Sequence, residues 1–101
     1  MILAIIEMNA RPAKQKELLQ TLHAIIQQIR NVKGCMKCSA CQDIENKNIL
    51  RLIEQWTTQQ DIDNHLRSDL FSVLLGAKNL MCEPLKVEFN RISSTTGMEA
   101  A

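Results

Sequence analysis

The sequence predicts an α+β domain of the ferredoxin-like type, in which a four-stranded antiparallel sheet carries its helices on one face and the elements run β-α-β-β-α-β. Three observations predict it. The chain begins with an apolar, β-rich run, its last apolar run alternates with polar residues, and the stretches between them repeat apolar residues at helical spacing. The 101 residues suffice for one such domain.

The first strand is predicted at Met1–Met8, and it is apolar on both of its alternating faces, as expected for a strand covered on two sides. Pro12 suits the first turn of a helix, where the N–H that proline lacks would have no partner. We expect this helix to reach about Asn31 and Gly34 to close it. Its apolar stripe is Leu18, Leu19, Leu22, Ile25, Ile26 and Ile29.

The middle of the chain predicts a β-hairpin. The strands are expected at Cys35–Asp43 and Ile49–Trp56, and the Asn-rich segment 45–48 between them has the polar composition of a turn. The first of these two strands has the weaker pattern, because it is less apolar.

The second helix is predicted to be broken. Thr57 and Gln60 have the spacing of a capping box for a short helix that ends near Leu66. Ser68 then has the character of a new N-cap, from which a helix continues through Leu75.

Pro84 prevents that helix from continuing, and a last strand is predicted at Leu85–Ile92. The domain therefore spans residues 1–92. The small and polar residues 93–101 are expected to form a flexible tail.

The predicted arrangement leaves one face of the sheet without a cover. Both helices lie on the same side, yet the first strand is apolar on both faces. A second copy related by a two-fold axis is the simplest cover, so we expect a homodimer whose sheets pack face to face.

Composition excludes several classes of partner. The 12 Lys and Arg residues balance 11 Asp and Glu residues, and the net charge of +1 is not gathered into a block. With one Trp, two Phe and no Tyr, the chain lacks an aromatic platform for bases. We expect no nucleic-acid and no membrane partner. The first apolar run (2–6) is too short for a signal peptide or a bilayer span, so we expect a cytoplasmic protein with reduced thiols.

One group of residues carries a family resemblance. Glu54 and Trp56 end the third strand, and after eight further residues His65, Ser68 and Phe71 follow at intervals of three. With the β-α-β-β-α-β order, this arrangement resembles the antibiotic biosynthesis monooxygenase family of small dimeric α/β-barrel proteins, over residues 1–92. The resemblance implies oxygenation of electron-rich aromatics such as quinols and anthrones by O2, without a cofactor, in a pocket between sheet and helices. A related branch binds and degrades haem.

Within this resemblance, His65 is the candidate base, since imidazole changes protonation near neutral pH. Asn9 matches an asparagine of the haem-degrading branch and is expected to orient a substrate oxygen, and Trp56 is expected to wall the pocket. The substrate-binding residues are predicted to be Phe71, Leu74 and Leu75. Each has a structural alternative: a boundary histidine, a turn asparagine, and core packing for the apolar residues.

Two departures from the family pattern bear on the reaction. Leu75 stands where the haem-degrading branch has its ligand histidine, so axial haem ligation is not expected. The chain also has no tyrosine, whereas aromatic-oxidising members often carry hydroxyl-bearing side chains in the pocket. The second histidine, His23, borders the apolar stripe of the first helix and is predicted to be structural.

Cys35, Cys38 and Cys41 follow the C-x2-C-x2-C spacing that begins some iron–sulfur motifs. In a regular strand, however, Cys35 and Cys41 would share one face and Cys38 would point to the other. Cys82 is too far along the sequence to serve as a nearby fourth ligand. We therefore expect no metal site.

Three functions follow in order of preference. The first is a cofactor-independent monooxygenase for a small, electron-rich aromatic. The second is a non-catalytic dimeric module that binds an apolar aromatic ligand or serves as a scaffold. The third is a thiol-based metal or redox protein.

Overall fold

The computed structural model describes residues 1–100 and confirms the predicted fold class. A four-stranded antiparallel sheet has the strand order β2-β3-β1-β4. Within the described range, no helix combines the length and the apolar character that crossing a bilayer requires. The elements are β1 (Ile2–Asn9), α1 (Gln15–Ile29), β2 (Cys35–Gln42), β3 (Ile49–Trp56), α2 (Gln59–Leu66), α3 (Asp69–Gly76) and β4 (Lys86–Arg91).

The inner face of the sheet packs against the helices. Along β1 every second residue from Ile2 to Met8 is buried, and β3 opposes them with Leu50, Leu52, Glu54 and Trp56, so the core lies between this face and α1. The predicted stripe of α1 is buried except for Leu19, which is 36 % exposed.

The outer face of the sheet carries the alternate residues and has no helix over it. At its centre Ile5 pairs with Ile53, and Leu3 lies beside them; all three are half-buried. The Arg51 guanidinium donates hydrogen bonds to Glu7 Oε1 at 3.0 Å and to Asp43 Oδ2 at 3.2 Å. This face therefore has an apolar centre beside an arginine that is paired with two carboxylates.

Side chains cap both short helices. Ser68 Oγ accepts a hydrogen bond from the Phe71 amide at 3.2 Å, which confirms the predicted N-cap of α3. The predicted cap of α2 is wrong by one residue, because Thr58, not Thr57, accepts the Asp61 amide hydrogen bond at 3.1 Å. Thr57 instead donates its amide to the Gly34 carbonyl at 2.9 Å, which ties it to the turn before β2.

The other element ends differ modestly from the predicted ones. A 3₁₀ turn at Pro12–Lys14 precedes α1, which ends at Ile29 and so stops short of Asn31. Another 3₁₀ turn, Ala77–Leu80, extends α3, and β4 is shorter than predicted. Residues 93–100 are exposed and belong to no helix or strand.

Gly34 lies in the turn before β2, five residues after α1, and does not close the helix directly. Its φ of +88° is in the region that only glycine adopts freely, and a Cβ atom there would collide with the Asp61 side chain.

Gly34→Ala is expected to lower the free energy of unfolding by about 2 kcal/mol or more, from backbone strain and the displaced Asp61. Urea unfolding followed by Trp56 fluorescence measures this. Gly76→Ala is the matched control, since nothing lies within 4 Å of a Cβ atom at Gly76 and its φ is not positive. Equal midpoints for the two variants would contradict the prediction.

Candidate functional site

Three aromatic rings meet between the inner face and the break separating α2 from α3. The His65 imidazole stacks on the Trp56 indole with centroids 4.7 Å apart and an interplanar angle of 28°. Phe71 approaches the imidazole edge-on at 5.7 Å. β3 supplies Trp56, the last turn of α2 supplies His65, and the first turn of α3 supplies Phe71. Three of the residues selected from the sequence therefore form one cluster.

Glu54 joins this cluster, and the sequence reasoning gave it no role. Its side chain is 1 % exposed, and its Oε1 accepts a hydrogen bond from Trp56 Nε1 at 2.9 Å. Residues two apart in a strand share a face, and a buried indole N–H needs an acceptor. These two rules together could have identified Glu54 from the sequence.

The cluster contains polar atoms that the protein does not satisfy. His65 is 1 % exposed, and neither ring nitrogen has a hydrogen-bond partner within residues 1–100. Glu54 Oε2 likewise has none among the described residues. An unsatisfied buried polar group costs about 1–3 kcal/mol, and such groups in native proteins call for an explanation such as a ligand or a catalytic role.

Burial sets the charge state of the cluster. Desolvation lowers the pKa of His65, so its imidazole is neutral at pH 7. Desolvation also raises the pKa of Glu54, against the smaller opposing effect of the Trp56 hydrogen bond. The site thus combines a neutral imidazole, which accepts a proton, with a carboxyl group that resists ionisation.

The lowered pKa of His65 predicts a loss of stability in acid. The unfolded chain takes up the imidazole proton near pH 6.5, but the folded chain does so only at lower pH. The free energy of unfolding should therefore fall as the pH drops from 6.5 through the lowered pKa. Urea unfolding of wild type and His65→Phe at pH 7.5, 6.5 and 5.5 isolates this contribution, because Glu54 titrates in both proteins. The same pH dependence in both would contradict it.

The structure does not bring Asn9 into the cluster. Asn9 opposes Ile49 at one end of β1, whereas Trp56 opposes Ile2 at the other end, about 23 Å away at the rise of a strand. The register also puts Asn9 on the outer face, and its carbonyl accepts the Cys82 amide at 2.8 Å. A contact between Asn9 and substrate oxygen remains a prediction from the resemblance.

Leu74 and Leu75 lie in different environments. Leu74 is fully buried in the core, whereas Leu75 is 47 % exposed and lines a 370 Å³ groove with Met81 and Leu85. Further grooves of 460, 340 and 190 Å³ lie on the surface, and none of these four is lined by His65. None of the four is therefore the predicted pocket between sheet and helices in front of the imidazole.

A β-bulge rearranges the cysteines. The register between β2 and β3 shifts between Cys35 and Lys37, so Cys35 opposes Trp56 and Cys38 opposes Glu54 on the inner face. The expected orientation, with Cys35 and Cys41 on one side, is therefore wrong. Desolvation raises the pKa of Cys38 to about 12, and the Glu54 charge adds to it, so this thiol is a poor nucleophile. Across residues 1–100, no group of three or more His, Cys, Asp or Glu side chains could hold a metal ion.

A sequence model of a protein family, described as antibiotic biosynthesis monooxygenase, matches residues 1–74. Among curated proteins, none matches the chain at a significant level.

Solved structures share the fold at low identity. A Deinococcus radiodurans protein, named provisionally as an antibiotic biosynthesis monooxygenase, has a TM-score of 0.90 and 19 % identity over 99 % of this chain and 100 % of its own. A conserved protein from Methanosarcina mazei has a TM-score of 0.84 and 23 % identity over 89 % and 90 %. A protein from Mycobacterium tuberculosis has a TM-score of 0.86 and 20 % identity over 95 % and 98 %. At these identities the likeness shows the fold alone.

Proposed function

Because this chain belongs to the antibiotic biosynthesis monooxygenase family, we propose that it oxygenates a small, electron-rich aromatic such as a quinol or an anthrone, using O2 and no cofactor. One observation carries the proposal. His65 is a buried, neutral imidazole with no hydrogen-bond partner among the described residues, and it is in contact with the aromatic rings of Trp56 and Phe71.

The proposed reaction begins with proton transfer to His65. A neutral imidazole takes the acidic proton of the quinol or anthrone, and the resulting anion is reducing enough to pass one electron to O2. The two radicals then combine into a peroxide on the substrate carbon. Because Trp56 and Phe71 exclude water from the imidazole, the anion meets O2 before solvent returns its proton.

The atoms and electrons balance without another reductant. For an anthrone, the CH2 group and O2 give a ketone and water, so one oxygen atom enters the product and the other leaves as water. The departing oxygen takes up the proton held by His65 and the second hydrogen of the CH2 group, so it leaves as water and the imidazole is neutral again. The substrate supplies all four electrons.

Oxygen uptake tests this function. Purified protein, treated with chelator and checked for bound flavin, is given a panel of naphthoquinols, benzoquinols and anthrones in an oxygen electrode cell. We expect uptake above the rate of autoxidation and, from ¹⁸O2, one labelled oxygen atom per product. A rate equal to autoxidation for the whole panel would contradict the proposal.

A second function is favoured by the same imidazole. Because His65 is 1 % exposed and lies between Trp56 and Phe71, a site this closed also suits a non-catalytic module that keeps an apolar aromatic ligand or serves as a scaffold. Isothermal titration with the same aromatics under argon separates the two. Binding without later oxygen uptake identifies the module, and binding followed by uptake identifies the enzyme.

We also propose that the chain works as a homodimer through the outer face of the sheet. The apolar centre formed by Leu3, Ile5 and Ile53 is only half-buried in the single chain. The neighbouring Arg51 is already paired with two carboxylates, so a second copy would cover the face without stranding that charge.

A further inference from the structure

The Glu54 carboxyl group is buried in surroundings that disfavour its charged form. Its carboxyl group lies on the inner face of β3, is 1 % exposed, and forms no ion pair with any described residue. Across the sheet Glu54 opposes Cys38 on β2 and Ala4 on β1, and neither side chain supplies a positive charge. Burying a carboxyl group without a cation is costly, so the core gains nothing from Glu54 that an apolar side chain would not give better.

The one strong contact of this carboxyl group is with the indole of Trp56. Trp56 Nε1 donates to Glu54 Oε1 at 2.9 Å, and both side chains are buried. The ring torsion of a tryptophan has two broad preferred orientations, and a buried indole N–H needs an acceptor. The hydrogen bond selects the orientation in which the indole face is turned to α2.

That orientation decides where the imidazole lies. The His65 ring stacks on the indole at 4.7 Å, touches Phe71 edge-on and has no side-chain hydrogen bond within residues 1–100, so its packing against these rings orients it. A chain of two contacts therefore runs from Glu54 through Trp56 to His65.

We propose that Glu54 is a positioning residue for the oxygenation reaction. It fixes the Trp56 indole, and the indole in turn fixes the His65 imidazole for proton transfer. This inference rests on the proposed function, but it also makes a prediction about ring geometry that needs no turnover.

Three substitutions at Glu54 separate the roles of the carboxyl group. Glu54→Gln keeps an acceptor oxygen at the same reach, Glu54→Leu removes it at similar volume, and Glu54→Asp withdraws it by one methylene group. Leu52→Ala is the matched control, because it weakens the same face of β3 without touching the indole hydrogen bond. Trp56 is the only tryptophan in the chain, so its indole ¹⁵N–H signal and its fluorescence report this contact alone.

We expect Glu54→Leu and Glu54→Asp to shift the Trp56 indole signal and the His65 ring signals, and to lower kcat at least tenfold with KM changed less than threefold. Glu54→Gln should keep both sets of signals and a kcat within twofold of wild type. Leu52→Ala should lower stability yet leave the ring signals in place.

The opposite pattern overturns the proposal. Unchanged Trp56 and His65 signals in Glu54→Leu and Glu54→Asp would show that the carboxyl group does not position the rings. A loss in Glu54→Gln equal to that in Glu54→Leu would show that the acid itself is required. If Glu54→Leu does not fold, Glu54→Asp and Glu54→Gln decide alone. Wild-type protein without turnover refutes the proposed function, while the ring signals still decide the positioning.

Discussion

His65→Ala is expected to lower the rate of O2 consumption with a reduced quinone or anthrone at least tenfold, and general-base catalysis often contributes about 10²- to 10⁴-fold. The loss follows because the imidazole is neutral, buried and without a hydrogen-bond partner among the described residues, which leaves its ring nitrogen free to accept the substrate proton. Initial rates in an oxygen electrode, corrected for autoxidation, measure the effect.

His23→Ala is the control for this experiment. His23 is the only other histidine and is exposed on α1, far in sequence from the aromatic cluster. The His23→Ala variant should consume O2 at the wild-type rate. Circular dichroism is used to check that His65→Ala folds, because loss of the imidazole also removes the stack on Trp56. A folded His65→Ala with the wild-type rate would remove His65 from the reaction.

Ile53→Arg is expected to convert a dimer into a monomer. Ile53 lies at the apolar centre of the outer face, paired with Ile5, and a charge there would be buried at the proposed contact in both copies. We expect the dissociation constant to rise at least about 100-fold, which corresponds to about 2.7 kcal/mol. Sedimentation equilibrium at protein concentrations of about 1–100 μM measures this dissociation constant, because such a change is visible in about that range.

Val73→Arg is the matched control, because Val73 is 56 % exposed on α3, away from the outer face. This variant should keep the wild-type mass. A wild-type protein that sediments as a monomer throughout the range would refute the dimer, and an Ile53→Arg variant that stays dimeric would place the contact elsewhere.

Much of the fold was predictable because its signals are local. Alternating burial along β1 and β3, the stripe of α1 and the Ser68 cap all follow from residues close in sequence. The bulge that turns Cys35 to the inner face was not predictable, because it depends on the register between β2 and β3. The cap of α2 was misplaced because Thr57 and Thr58 are equivalent in sequence, and only the turn at Gly34 distinguishes them.

The candidate site was partly predictable for a related reason. His65 and Phe71 lie six residues apart on two short helices, and the break at Ser68 turns both toward Trp56. Asn9 does not join them because it lies at the far end of β1 and on the other face of the sheet. The resemblance alone gives neither the position along the strand nor the face. The almost complete burial of the His65 imidazole also depends on tertiary packing, which the spacing of apolar residues along the sequence does not report.

The central claim is that the aromatic cluster around His65 receives the substrate. An NMR titration under argon tests it most directly, with a quinol that the protein oxidises in air, by following the ring nitrogens of both histidines and the Trp56 indole N–H. We predict that the His65 and Trp56 signals move along one saturation curve while those of His23 stay fixed. If the His65 and Trp56 signals stay unchanged in a sample that consumes the quinol once oxygen is admitted, the reaction takes place elsewhere on the protein.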